Sequence, residues 1–224
     1  LKQWGRPASR LDASVCRRIP VRTNLDERYF QETFQALPCR GYTAMFENMI
    51  ESARFDLKLG IDYREVLPFI ERDHLIYTGP LDEYFNCQWG RLPYRSLRFN
   101  LEEISNVSGG FAQPVLQINY PGSEEYTRTV EVKHITGQKS RHTNIVREYS
   151  QEYKAGESEP YYPVPGPESQ ALAERYRRMA DQEPNVTFIG RLATYRYLNM
   201  DQVVAAALHT AEKLLQRHRL PAAV

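Results

Sequence analysis

Tyr94-Arg95-Ser96-Leu97-Arg98-Phe99 is the stretch on which the fold turns. Two similar β-rich runs follow it, Val115-Leu116-Gln117-Ile118-Asn119-Tyr120 and Thr129-Val130-Glu131-Val132, set apart by clusters of Gly, Asn and Ser. Short β-rich runs punctuated by turn residues predict an antiparallel sheet between about 91 and 150. Upstream, Leu75-Ile76-Tyr77 stops at Thr78-Gly79-Pro80, a strand ending at a turn. Further upstream, Met45, Phe46, Met49 and Ile50 fall at helical spacing, and Phe55, Leu57, Leu59 and Ile61 alternate, which predicts a helix and then a strand. Residues 1 to about 36 carry Pro7 and Pro20 with little periodicity and read as loops and short helices.

Downstream of the sheet, a proline-rich connector over 160–167 precedes a helix with Leu172, Tyr176, Met179 and Ala180 on one face, and Pro167 and Glu168 suit its first turn. A short strand over 186–189 leads through Gly190-Arg191 and a tyrosine-rich loop into a last helix. Val203, Val204, Ala207, Leu208, Ala211, Leu214 and Leu215 form its apolar stripe. Asn199 is its expected N-cap, with Gln202 three residues on to complete a capping box. Helices and strands of both kinds make the fold class mixed, α/β with α+β.

Composition sets outer bounds. The 224 residues carry 29 basic and 28 acidic side chains, a formal net charge of +1, so no general field draws the chain to nucleic acid and any anion site must be local. No run approaches the roughly 20 apolar residues of a membrane span, and no secretory leader opens the chain, so no membrane partner and a cytoplasmic location are expected. Cys16, Cys39 and Cys87 are widely spaced and read as reduced thiols, and five scattered histidines form no metal-binding pair, so no metal is expected. Leu1-Lys2-Gln3-Trp4 begins without methionine in a polar-aromatic run and reads as a chain whose start is missing.

Several constellations suit an anionic, sugar-bearing ligand. The last helix starts just after a glycine-arginine pair and a polar aromatic loop, so its unpaired N–H groups and dipole face whatever that loop encloses. Arg191 fits a diphosphate there, or a surface carboxylate. Arg18 and Arg128, in distant segments, form a diphosphate clamp if the fold unites them, and two solvated charges if it does not. Tyr161 and Tyr162 lie between Pro160 and Pro163, which restrict the backbone and suit either a binding wall or a packed turn. Tyr195 and Tyr197 point the same way if that segment is extended, with Arg196 opposite. Trp4 is a stacking surface or an anchor onto the body of the protein. No GxSxG elbow and no Cys/His dyad is present, so the residues alone stop short of a reaction.

An ordered set of motifs goes further: Lys2-Gln3-Trp4-Gly5, Arg18-Ile19-Pro20-Val21-Arg22, Arg28-Tyr29-Phe30, Tyr77-Thr78-Gly79-Pro80-Leu81-Asp82, Tyr94 through Phe99, Tyr126-Thr127-Arg128, Arg147-Glu148-Tyr149, Pro160-Tyr161-Tyr162-Pro163, and Gly190-Arg191-Leu192 through Met200-Asp201. In this order they resemble the bacterial UDP-galactopyranose mutases, over nearly the whole chain. The resemblance implies an isomerase that interconverts UDP-galactopyranose and UDP-galactofuranose, with FAD as cofactor, active when reduced. In that family the reduced flavin attacks the anomeric carbon, UDP leaves, and the flavin-bound sugar adduct opens and recloses as the other ring.

It also implies an organisation. Residues 1–36 would end a helical substrate-binding domain, 37–74 would supply a helix and strand of a Rossmann-like flavin domain, 75–160 an antiparallel sheet domain, and 161–224 the returning flavin-domain segments. Carried over by motif, Arg18 and Arg128 are the diphosphate-binding, catalytic arginines. Trp4, Tyr29, Asn119, Glu148, Tyr162 and Tyr197 join them in binding UDP-galactose, and Arg191, Leu198, Asn199, Met200, Asp201 and Gln202 are flavin contacts. A homo-oligomer is expected. Ala193 stands where the family often has glycine, Asn199 where it often has aspartate, and the GxGxxG flavin fingerprint occurs nowhere in this sequence. The alternative is therefore a non-enzymatic UDP-sugar-binding segment with an incomplete flavin site.

Overall fold

The computed structural model describes residues 2–11, 21–25, 31–52 and 56–219, and the chain divides into two compact units, one of Arg17–Asp73 and one of Leu1–Cys16 with His74–Val224. In the first unit, helix α1 (Gly41–Ser52) carries the expected stripe of Met45, Phe46, Met49 and Ile50. Short helix α2 (Tyr63–Val66) is capped by Asp62, whose carboxylate accepts from the Arg64 backbone N–H at 2.9 Å. The Arg64 guanidinium bonds the same carboxylate, and these contacts hold it down to about 2.

The strand expected over Phe55, Leu57, Leu59 and Ile61 is not formed. Leu57, Leu59 and Ile61 are exposed and belong to no strand, and Phe55 lies outside the described residues. Gly60 sits between two of the alternating residues with φ +68°, a left-handed conformation that breaks extended backbone. Alternation alone does not make a strand where no ladder receives it.

The second unit contains strand β1 (Leu75–Tyr77), short helix α3 (Leu81–Tyr84), strands β2 (Tyr94–Ile104), β3 (Gln117–Asn119) and β4 (Arg128–Val130), and short helix α4 (Lys133–Thr136). Strands β5 (Thr143–Glu152) and β6 (Tyr162–Pro163), helix α5 (Pro167–Ala180), strand β7 (Val186–Phe188), short helix α6 (Gly190–Ala193) and helix α7 (Met200–Arg219) complete it. β1 pairs with β7 in parallel, and β3-β4-β5-β2-β6 form an antiparallel sheet of five strands in that order. The mixed class expected from the sequence is therefore present, with one parallel and one antiparallel sheet.

Each of the three predicted runs contributes to that antiparallel sheet, the run 129–132 only as far as Val130 because Val132 already turns helical at the start of α4, but the sheet is built around a strand the pattern did not single out. β5 pairs with β2 along ten registered residues, from Arg95↔Glu152 to Ile104↔Thr143. The run from Tyr94 extends to Ile104, whereas the run 115–120 is strand only at Gln117–Asn119.

Leu81, Phe85, Leu92, Tyr94, Ala173, Tyr176 and Tyr195 form the core, with the expected α5 face packed on it. Its tyrosine hydroxyls are all paired: Tyr176 donates to Gly90 O at 2.8 Å and Tyr195 to Pro93 O at 2.6 Å, so the loop leading into β2 is pinned from beneath. Asp82, 2% exposed, accepts from the Leu92 backbone N–H at 3.0 Å through one oxygen and leaves the other without a partner; burial pushes its carboxyl above the usual range. At α7 the Asn199 N–H donates to Gln202 Oε1 at 2.9 Å, the backbone half of the expected capping box. Among the described residues no helix is long and apolar enough to cross a membrane.

Candidate functional site

Residues opposite one another in register share a face of a sheet, as do residues two apart along a strand. Asn119 of β3 stands opposite Arg128 of β4, Arg128 opposite Glu148 of β5, and Glu148 opposite Phe99 of β2. Three residues expected to touch substrate thus form one row across three strands. Their polar atoms are chained: Gln117 donates to Asn119 Oδ1 at 3.1 Å, and Arg128 Nη1 donates to Gln117 Oε1 at 3.4 Å. Arg128 Nε lies 3.2 Å from Glu148 Oε1, a charge contact without hydrogen-bond geometry. Thr127 also serves Glu148, its hydroxyl donating to the backbone carbonyl at 3.0 Å.

The same face continues through Arg95, four residues from Phe99 along β2, to Tyr162 of β6, its registered partner. Tyr162 is the centre of a second cluster. Its ring stacks on Tyr197 with centroids 5.5 Å apart and planes 12° apart, and Trp4 meets it edge-on at 6.2 Å. The Arg191 guanidinium lies 4.8 Å from the Tyr197 ring and 5.5 Å from that of Tyr162. Burial pushes the Tyr162 phenol above its ordinary range, the Glu148 carboxylate adds to that, and the Arg128 and Arg191 cations oppose it. The phenol stays protonated at neutral pH and can donate a hydrogen bond to a ligand oxygen.

Arg191 has a more specific job than its place after a glycine implied. Its Nε donates to Leu198 O at 3.1 Å, Nη2 bonds the same carbonyl, and Nη1 donates to Tyr161 O at 3.0 Å. The fork therefore ties the turn before α7 to the strand that carries Tyr162, while its guanidinium carbon lies within cation–π distance of two tyrosine rings. Leu198 and Asn199 are half-buried behind it, and Met200, Asp201 and Gln202 are exposed at the first turn of α7.

Tyr195 and Tyr197 do not point the same way. Tyr195 takes a left-handed backbone conformation, φ +49°, and its ring is buried in the core; only Tyr197 reaches the cluster. Arg18 and Tyr29 lie outside the described residues. Trp4, Asn119, Arg128, Glu148, Tyr162, Tyr197 and Arg191 are brought to one region of the sheet.

Lys2, Gln3, Arg95 and Ser150 also belong to this region, although the sequence pattern assigned them no role. Gln3 O accepts from Ser150 Oγ at 2.7 Å and from Arg95 Nε at 3.2 Å, and Arg95 Nη2 donates to Ser150 Oγ at 3.1 Å. Burial pulls the Arg95 guanidinium below its ordinary range. Ser150 stands opposite Leu97, which puts it on the same face as Arg95, and that register is not readable before β5 is placed.

A family model described as UDP-galactopyranose mutase matches residues 1–197. The chain is 40% identical over 220 residues to a probable UDP-galactopyranose mutase of Klebsiella pneumoniae, covering 96% of this chain and 55% of that relative. It is 35% identical over 231 residues to a UDP-galactopyranose mutase of Mycoplasma pneumoniae, covering 96% of this chain and 57% of the relative. A dTDP-fucopyranose mutase of Escherichia coli is 32% identical over 224 residues, with 97% of this chain and 59% of the relative covered. The chain thus spans little more than half the length of these relatives.

Proposed function

The chain belongs to the UDP-galactopyranose mutase family, and we propose that, as part of a longer chain, it supplies the UDP-galactose-holding face of an isomerase that interconverts the pyranose and furanose forms of that sugar nucleotide. The observation that carries this reading is the meeting of the Asn119–Arg128–Glu148 row with the Trp4–Tyr162–Tyr197 cluster on one face of the sheet.

In this reading Trp4 is a wall for the uracil ring, and Arg128 binds the diphosphate. UDP is both anchor and leaving group, so a cation fixed on its diphosphate holds the substrate and stabilises the negative charge that grows as the anomeric bond breaks. Asn119, Glu148, the protonated Tyr162 phenol and the Tyr197 hydroxyl offer hydrogen bonds to sugar hydroxyls. Glu148 also sets the direction of the Arg128 side chain through their 3.2 Å contact.

FAD is the proposed cofactor. The exposed first turn of α7, Met200 to Gln202, fits one wall of a flavin site, since a helix N-terminus offers free amides and Met200 an apolar surface. Leu198 and Asn199 would join that wall, and Arg191 fits it as the strut that fixes the Leu198 carbonyl rather than as a free cation. When bound and reduced, FAD would supply the nucleophile for the anomeric carbon.

The native full-length protein is expected to carry flavin absorbance and, once reduced, to interconvert the two UDP-galactose forms, followed by chromatography of the sugar nucleotides. Full flavin loading without any interconversion would overturn the isomerase reading. Conversion of dTDP-fucose in place of UDP-galactose would move the substrate to that of the Escherichia coli relative.

A further inference from the structure

We propose that Lys2 is a positioning residue of this pocket, whose ammonium sets the distance between the Trp4 wall and Arg128 by binding the mouth of the β3–β4 hairpin. This rests on the reading of Trp4 and Arg128 as UDP contacts.

Lys2 Nζ donates to Tyr120 O at 2.6 Å and to Tyr126 O at 3.0 Å. Tyr120 directly follows Asn119, and Tyr126 precedes Arg128 by one intervening residue, so the two carbonyls lie just beyond the ends of β3 and β4. The backbone ladder continues past those strand ends through the Tyr120 N–H to Thr127 O at 2.9 Å. Lys2 closes the next gap with a charge. An ammonium suits two neighbouring carbonyls because it holds three donors on one atom and carries no acceptor to oppose them.

The next residue is fastened elsewhere. Gln3 O is held by Ser150 of β5 and Arg95 of β2. Lys2 and Gln3 are thus anchored at two separate places on the sheet, one on the hairpin that carries Asn119 and Arg128 and one beside Tyr162. Trp4 follows immediately, and the chain turns at Gly5, where φ is +65° and a Cβ would lie 3.0 Å from Arg95 Nη1. The ring of Trp4 therefore has little freedom to move relative to Arg128 while both anchors hold. A base wall and a diphosphate cation held at a constant separation match a nucleoside diphosphate, whose base and phosphates are themselves a set distance apart, and placing both in advance lowers the ordering cost of binding.

The test is a double-mutant cycle in the native full-length protein, with UDP affinity measured by calorimetry. Lys2→Met, which keeps the stem and removes the donors, is expected to weaken UDP binding by about tenfold, the scale of a lost charge-assisted bond. Lys2→Arg, which can reach both carbonyls, is expected to stay within about threefold of wild type. In a Trp4→Ala background, Lys2→Met is expected to change the affinity by less than about twofold, because the group it positions is gone. Should Lys2→Met not fold, Lys2→Gln, with one neutral amide donor group, carries the same test with a smaller loss. Wild-type affinity for UDP in Lys2→Met, or an equal loss with and without Trp4, would overturn the proposal and leave the UDP site standing. A wild-type protein that binds no UDP would remove the underlying site reading as well.

Discussion

Arg128 Nε stands 3.2 Å from Glu148 Oε1 across the β4–β5 ladder, and the Glu148 residue is only 7% exposed. A carboxylate that deep costs free energy unless a cation and hydrogen bonds meet it, and Arg128 and Thr127 do so. The Arg128 side chain itself is 26% exposed, so part of its fork still faces outward. One guanidinium thus compensates an inner charge and presents donors to an outer one.

That dual duty separates two substitutions. Arg128→Lys keeps the charge near Glu148 but loses the planar fork, and UDP affinity should fall by about tenfold or more while uridine affinity changes by less than about twofold. Arg128→Ala should do the same to UDP and also lower stability by about 2 kcal/mol or more, because Glu148 is left buried and unpaired. Calorimetry with UDP and uridine, beside urea unfolding, checks both. Equal losses for UDP and uridine would remove Arg128 from the diphosphate.

Arg191 is expected to matter first for architecture. Arg191→Lys replaces a fork whose separate nitrogens reach the Leu198 and Tyr161 carbonyls with a single donor atom, and removes the guanidinium that lies over the Tyr162 and Tyr197 rings. A loss of about 1–3 kcal/mol in urea unfolding is expected, with faster amide exchange at the start of α7. An unchanged unfolding midpoint would show that the strut is dispensable.

The parts of this arrangement that were legible from sequence are those governed by local pattern. The α5 face of Leu172, Tyr176 and Met179 and the Asn199–Gln202 pair depend on spacing within one element; the face is present, and so is the half of the cap in which Gln202 accepts from the Asn199 N–H. β5 was harder to read, because Asn144, Arg147, Glu148, Gln151 and Glu152 make it polar; it is strand because ten residues pair with β2. The Phe55-to-Ile61 alternation misled for the opposite reason, since Gly60 turns the backbone left-handed. In the site, Trp4 and Tyr162 are distinctive residues that invite attention. Lys2, Arg95 and Ser150 bind backbone carbonyls or each other across the sheet, and only register brings them together. Tyr195 and Tyr197 were separable only by a backbone angle.

Glu131 gives the pH-dependent prediction. It is fully buried at the end of β4, where its carboxylate accepts from the backbone N–H groups of Ala112 at 3.1 Å and Gln113 at 2.9 Å and from the Thr143 hydroxyl at 2.5 Å. Burial pushes its carboxyl up, but those hydrogen bonds, with His134 alongside, outweigh burial and hold it below the ordinary range. A carboxyl depressed in the folded state contributes stability that is present above its unfolded pKa and is lost as pH falls through the folded one. Glu131→Gln keeps the shape but turns one acceptor into a donor facing the N–H groups of the segment that leads into β3, the strand of Asn119. The variant should be less stable by about 1–3 kcal/mol at neutral pH, and the gap should close as pH drops below the ordinary carboxylate range, where wild type loses the same charge. Urea unfolding of both proteins from neutral to acid pH reads the gap directly; a gap that stays constant over that range would mean that the charge on Glu131 contributes nothing and only its shape matters.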